Sequence, residues 1–357
     1  MTRELRTQEL RQVQSAAGAS FGEVLGTSVP LSFGNDAIAL EAAKNGTTVY
    51  DRSHWGKICL TGDDRARFLH NQSTNDFNRL QSGQTCQTVF LTSTARTLDL
   101  ATAYILDDAI WLLVSPNRCQ KLIEWFDRYL FPMDKVDVED ITETTSVFSL
   151  IGDKSQTQLA QLGIPLELPP NTHQLVQIAD VEVRIAAGSG LATPGYTLLC
   201  NGEDGAKVWQ AIVDAGAVPL GETAWEQLRV RQGRPIPDAE LTEDYNPLEA
   251  GLWETISFEK GCYIGQETIA RLNTYQGVKT QLWGIELAAP EKPGAIVVLK
   301  EDKVGQLTSV VETDDGAFGL AYIRTKAGGA GLEVKVGETT GKVVDLPFLT
   351  RGYLDKS

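Results

Sequence analysis

The sequence predicts an α+β fold that closes with a small, separate β-barrel. Two observations predict it. Strand-like and helix-like segments alternate up to about residue 276 with many hairpins between them, which favours α+β over one doubly wound parallel sheet. From about residue 277 the segments become short strands at close spacing, separated by Gly and Asp pairs, the texture of a small barrel. The expected division is therefore 1–276 and 277–357, and a chain of 357 residues is long enough for two or three domains.

Residues Arg3 to Ala17 suit a polar, partly amphipathic helix that stops towards Gly18 and Gly22. Trp55 to Leu60 alternates as a strand, and either Asp63 or Asp64 in the following turn suits the cap of a helix carrying Ala66, Phe68, Leu69 and Gln72. Thr88 to Leu91, Leu100 to Leu106 and Ala109 to Val114 read as strands, the last two joined by a turn at Asp107 and Asp108. Pro116 opens a helix to Leu130 with a broad apolar stripe from Leu122 to Leu130. Val147 to Ile151, Val176 to Ile178, Val181 to Ile185 and Tyr196 to Cys200 are further strands. Ser155 to Leu162, Ala206 to Ala215 and Thr223 to Gln232 are helices. The barrel strands are Leu282 to Leu287, Ile296 to Leu299, Gly305 to Val311, Phe318 to Ile323 and Leu332 to Val336.

The net charge of −15 argues against a protein that grips nucleic acid or a polybasic membrane-surface protein, since both need clustered Lys and Arg. The acid is concentrated. Residues 131–260 carry 8 basic and 21 acidic side chains, whereas 1–130 carry 13 and 14, and 261–357 carry 11 and 12. A solvated acidic surface accounts for this. The start of the chain reads as neither a secretory signal nor a transit peptide, and no stretch spans a bilayer. The five cysteines, Cys59, Cys86, Cys119, Cys200 and Cys262, have no metal-knuckle spacing, so neither a disulfide framework nor a metal site is expected. A reduced, cytoplasmic protein is the simplest account.

Several apparent motifs are turns. Gly152-Asp-Lys-Ser lacks the first glycine of a phosphate loop, and Gly188-Ser-Gly is half a dinucleotide fingerprint. His54, His70 and His173 are scattered, and the acid pairs Asp63-Asp64 and Asp314-Asp315 suit turns. The segment Lys260-Gly-Cys-Tyr-Ile-Gly-Gln-Glu is different. A cation precedes a lone thiol, Gly265 permits close backbone approach, and Gln266 and Glu267 add hydrogen-bonding groups. It reads either as a functional thiol or as a glycine-rich turn around a small buried cysteine.

This octet, with Asn246-Pro-Leu-Glu-Ala-Gly-Leu before it, resembles the K-G-C-[FY]-x-G-Q-E hallmark of the YgfZ family of folate-binding proteins, related to the T-protein (aminomethyltransferase) of glycine cleavage. Asp51 to Gly56, Thr61 to Asp76, Val304 to Ser309 and Leu346-Pro-Phe are similar to other blocks of that family. The resemblance implies a T-protein-like ring of two mixed α/β subdomains plus the barrel, around a central hole that holds tetrahydrofolate or a derivative. It implies support of iron–sulfur client enzymes, with tRNA modification affected only through a client and no direct nucleic-acid or membrane partner. Cys262 is the residue most tied to that role, and Lys260, Tyr263, Gln266 and Glu267 are carried with it as cofactor-binding candidates. The T-protein's acidic pair is reduced to Asp99, and Thr197 follows Gly195-Tyr196 where T-proteins place Glu, which weakens the transferase reading. Tyr196 and Trp253 are candidates to stack on a pterin, with plain core as the alternative. Arg229 either faces the folate or forms an ion pair in a core helix. Arg229, Arg231, Arg234 and Lys260 are expected to line the pocket of the anionic ligand. The alternatives to the accessory role are a folate-dependent aminomethyltransferase, with Asp99 as its chief acid, and a folate-independent scaffold.

Overall fold

The computed structural model describes residues 3–165, 167–313 and 316–356, so the Asp314-Asp315 pair lies outside the described residues. The chain begins α1 (Arg3–Ala16), β1 (Ser20–Val24), β2 (Thr27–Ser32), α2 (Asp36–Asn45), β3 (Thr48–Asp51), β4 (Gly56–Thr61), α3 (Arg65–Gln72). It continues β5 (Thr85–Leu91), β6 (Thr97–Ile105), β7 (Ala109–Val114), α4 (Cys119–Asp127), β8 (Asp137–Asp140), β9 (Thr145–Ile151), α5 (Ser155–Gln161). Next come β10 (His173–Ile178), β11 (Val181–Ala187), β12 (Gly195–Asn201), α6 (Gly205–Asp214), β13 (Val218–Leu220) and α7 (Glu222–Gln232). Last are α8 (Gln266–Thr274), β14 (Thr280–Leu287), β15 (Ile296–Leu299), β16 (Asp302–Thr313), β17 (Gly316–Arg324), β18 (Glu333–Val336) and β19 (Thr339–Val344).

The chain divides into two compact units: residues 1–68, 78–86 and 101–225, and residues 69–77, 87–100 and 226–357. The first holds a six-stranded sheet in the order β10-β11-β12-β9-β3-β13. Its inner strand β9 is buried at every residue, so burial does not alternate along it, and Thr145, Ser146 and Ser149 are buried with its apolar residues. Towards the edge, β11 turns Val181, Val183 and Ile185 inward and Glu182 outward, the two-residue period of a half-buried strand. Helix α6 adds Val208, Trp209 and Ile212 to the same core. The five-stranded sheet runs β5-β6-β7-β4-β8, with β4 and β7 paired antiparallel from Gly56↔Val114 to Thr61↔Ala109.

Two histidines of this first unit are structural. His173 accepts from Arg184 Nη1 at Nδ1 (2.9 Å), and its Nε2 lies 2.9 Å from the Ile105 carbonyl. Burial and Arg184 push its pKa down to about 4. Burial, with Lys57 and Arg52 adding to it, pushes that of His54 down to about 3. Both folded-state values lie below the ordinary 6.5, so the unfolded chain takes up protons first as pH falls. Stability is therefore expected to drop as pH is lowered from 6.5 towards 3, and urea midpoints measured across that window should fall less steeply for His54→Gln. An unchanged slope would contradict this.

The second unit contains the closed barrel, in the order β14-β17-β16-β15-β18-β19. Ile285, Leu307, Ile323, Val336 and Val343 fill its interior. A further core of Trp253, Tyr263, Ile269, Leu282, Tyr322 and Leu346 ties the Lys260–Glu267 segment to this unit. All five expected barrel strands form, and β19 is a sixth. Its Thr-Thr-Gly-Lys-Val-Val sequence buries only Val343, so it carries almost no apolar signal. For the same reason the hairpin β1-β2, with mixed exposure along both strands, is not evident from pattern.

Candidate functional site

The site grows from the junction of three stretches of the second unit: the end of α3, the turn that follows it, and residues 260–267. Lys260 is the anchor. Its buried ammonium donates to the carbonyls of His70, Ser73 (2.7 Å) and Asn75 (2.7 Å), and lies 4.8 Å from the centre of the Tyr263 ring. The last carbonyls of a helix have no intrahelical donor and carry the negative end of its dipole, so a cation at the end of α3 meets both needs. The Ile264 amide donates to the Asn71 carbonyl (3.1 Å), a second tie between the same segments.

Gly265 then turns the chain into α8. Its φ is +81°, and a Cβ there would stand 2.9 Å from the Thr92 carbonyl oxygen, so glycine is required twice over. Gln266 and Glu267 are the first residues of α8, and Glu267 is exposed at the positive end of that helix. Tyr263 is buried, and burial raises its pKa. Between these anchors Cys262 is exposed, which excludes the buried-cysteine reading. The other cysteines are free thiols, buried or half-buried. Among the described residues no group of three His, Cys, Asp or Glu side chains is placed to hold a metal ion.

The remaining candidates separate. Asp99 is wholly buried in β6, with Oδ1 accepting from the Leu100 amide (2.9 Å). Arg229 takes the ion-pair role. It is 1% exposed, its Nε donates to Glu226 Oε2 (2.7 Å) and its Nη1 to the Arg234 carbonyl (3.0 Å) and Glu240 Oε2 (3.2 Å). Nη2 donates to Glu226 Oε1 and to Ser309 Oγ (3.0 Å). Burial alone would lower its pKa, but Glu240 and Glu226 more than offset that and raise it. Arg234 is buried beside the Phe348 ring, and Arg231 is exposed. Trp253 is core, with Nε1 donating to the Leu248 carbonyl (3.1 Å).

Tyr196 lies in the first unit, half-buried on a cavity of about 560 Å³ that Gly188, Gly195, Pro170, Asn171 and Asp153 also line. Thr197 does not offer its hydroxyl to this space; it donates to the Gly188 carbonyl (2.8 Å). Both turns at Gly152 and Gly188 border the cavity. Sequence reasoning missed His70 and Asp76, whose side chains meet at 3.1 Å (Nδ1 to Oδ1), with His70 Nε2 on the Gly261 side. Only the fold brings residues 70–76 to residue 260, so no local pattern marks them.

This architecture, two α/β sheets followed by a closed six-stranded barrel, belongs to a described family. The family of the GCVT N-terminal domain matches residues 10–260, and the chain belongs to it. A putative chloroplastic transferase of Arabidopsis thaliana is 45% identical over 94% of this chain and 78% of that protein. An aminomethyltransferase of Halalkalibacterium halodurans is 27% identical over 98% of this chain and 99% of that protein. The crystal structure of the glycine cleavage system aminomethyltransferase T from Bartonella henselae superposes with a TM-score of 0.85 at 21% identity, covering 96% of this chain and 98% of that one. The fold is thus the aminomethyltransferase fold.

Proposed function

We propose that this protein is a tetrahydrofolate-binding accessory of the YgfZ kind, which supports assembly or repair of iron–sulfur enzymes through Cys262. One observation carries the reading: the motif Lys260–Glu267 is complete, and its thiol is exposed on a loop held at both ends. A structural cysteine would be buried; an exposed thiol on a fixed backbone suits contact with a partner. The partner is a protein client rather than nucleic acid, in keeping with a net charge of −15. A cytoplasmic location belongs to the same proposal. Among the described residues no helix is long and apolar enough to cross a membrane, while the Arabidopsis relative is by its name chloroplastic, which does not fit a plain cytoplasmic assignment well.

The ligand's fit is tested by the groups that remain available. Arg229 and Lys260 donate to protein groups, which favours recognition of the pterin over recognition of the anionic tail. A cavity of about 560 Å³ lined by an aromatic residue, Tyr196, together with the polar residues Asn171 and Asp153 suits a flat, polar-edged heteroaromatic ring. When bound, tetrahydrofolate supplies a nitrogen able to carry a one-carbon unit. The chain's own part is to stack the ring on Tyr196 and to present Cys262 at a fixed position. Calorimetry with tetrahydrofolate should detect binding, and Tyr196→Ala should weaken it roughly tenfold, the order of one lost stacking contact. No binding by the intact protein would reject this reading and favour the folate-independent scaffold.

The second reading is a folate-dependent aminomethyltransferase, favoured by relatives of that name matched over nearly the whole chain. It predicts methylene-tetrahydrofolate from purified protein, tetrahydrofolate and an aminomethylated carrier protein, and loss of that product in Asp99→Asn. Absence of product in the wild type would reject it.

A further inference from the structure

The first unit holds a second cavity, of about 240 Å³, which shares no lining residue with the one at Tyr196. Helix α1, strand β2 and the residues from Asp51 to His54 contribute to its wall. Leu10, Val29 and Pro30 make that wall apolar, and all three are buried. The charged lining residues are Arg11, Asp51 and the exposed Glu143. Asp51 is held in place: Gln14 Nε2 donates to its Oδ2 (2.7 Å) and the Ser53 amide to its Oδ1 (2.8 Å), and each oxygen keeps a further lone pair. The Arg11 guanidinium donates from Nη2 to the Ser28 carbonyl (3.2 Å) and lies 5.5 Å from the centre of the Phe21 ring. Among the described residues it has no carboxylate partner. Arg11 and Gln14 are three residues apart on α1, so their side chains start roughly 5–6 Å from each other on one face. Gln14 reaches Asp51, so the cation and the anion stand at separate places on one cavity instead of meeting as an ion pair. Ser146, 5% exposed, and His54, whose side chain is 4% exposed and whose Nε2 makes no hydrogen bond, add polar groups to the lining. Burial, with Lys57 and Arg52, keeps His54 neutral, so it brings no second cation.

An unpaired guanidinium and a fixed carboxylate on one apolar-walled cavity are complementary to a molecule that carries both charges close together. We propose that this cavity binds a free α-amino acid with an apolar side chain, its carboxylate on Arg11, its ammonium on Asp51 and its side chain against Leu10, Val29 and Pro30. A plain amine leaves Arg11 without an anion, and a plain carboxylic acid leaves Asp51 without a cation. The site stands apart from the folate reading and from Cys262.

Calorimetry of the intact protein with L-leucine tests this, beside two probes of the same carbon skeleton that lack one charge each: isoamylamine, without the carboxylate, and isocaproate, without the ammonium. Leucine is expected to bind saturably below about 10 mM, and each one-charge probe at least about tenfold more weakly, because each forfeits one charge-assisted contact. Arg11→Gln should weaken leucine about tenfold and leave isoamylamine as in the wild type. Asp51→Asn should weaken leucine and leave isocaproate as in the wild type. Should Asp51→Asn fail to fold, Arg11→Gln, at a half-buried position on a helix, and the two probes carry the test by themselves. No saturable heat with leucine, valine or methionine would overturn the proposal. So would a one-charge probe that binds as tightly as leucine, or Arg11→Gln protein that binds leucine as the wild type does.

Discussion

Replacing Arg229 by methionine is expected to lower the unfolding free energy by about 3–5 kcal/mol, the usual cost of removing one partner from a buried ion pair. Glu240 is 0% exposed, and without Arg229 its carboxylate loses its buried cationic partner and keeps the neutral donors Ile236 N (3.2 Å) on Oε2 and Thr308 and Ser309 (both 2.6 Å) on Oε1. The Arg234 carbonyl loses the bond from Arg229 Nη1 as well. The network joins α7 to β16, so its loss should be felt across the second unit. Replacing both Arg229 and Glu240 by methionine should recover much of the loss, because no charge is then left uncompensated. Urea unfolding of the two variants measures this, and a single-variant loss below about 1 kcal/mol would contradict the account.

Lys260→Met is expected to cost about 3 kcal/mol, since three carbonyls lose a charged donor at once. The effect should also be local: the Ile264 amide, bonded to Asn71, should exchange with solvent much faster. Arginine should restore only part of the stability. Its planar fork cannot reproduce three bonds that diverge from a tetrahedral ammonium. Hydrogen exchange at Ile264 that is unchanged in Lys260→Met would show that the loop holds its place without the anchor.

Much of the fold was legible where burial follows a simple period. Strand β7 has its expected bounds because a buried run between two turns has few alternatives, and β15 likewise lies at Ile296–Leu299. Helix α4 is shorter than its apolar stripe, beginning at Cys119 and ending at Asp127; beyond it the bonds tighten to i→i−3 at Arg128 and Tyr129, while the Tyr129 ring still packs on Trp125. Asp64 precedes α3 as expected, yet its side chain accepts from the Lys135 amide (3.0 Å) and pairs with Arg67 (3.1 Å) instead of capping the helix. The motif was legible as a string of residues, but the work of its members was not. Lys260 reads as a cation beside a thiol, and only tertiary structure reveals that backbone carbonyls take up its charge. Arg229 reads equally well as a ligand contact or an ion pair until Glu240, eleven residues on, folds back to meet it. His70 and Asp76 belong to a helix end and a turn that no local rule connects to residue 260.

The role of Cys262 is tested most directly by asking whether Cys262→Ser protein sustains iron–sulfur enzyme activity in cells lacking the protein. The serine variant changes one exposed atom, so its melting temperature should match that of the wild type. The account predicts a folded, normally abundant protein that fails to restore the client enzymes. Full restoration by the serine variant would contradict it.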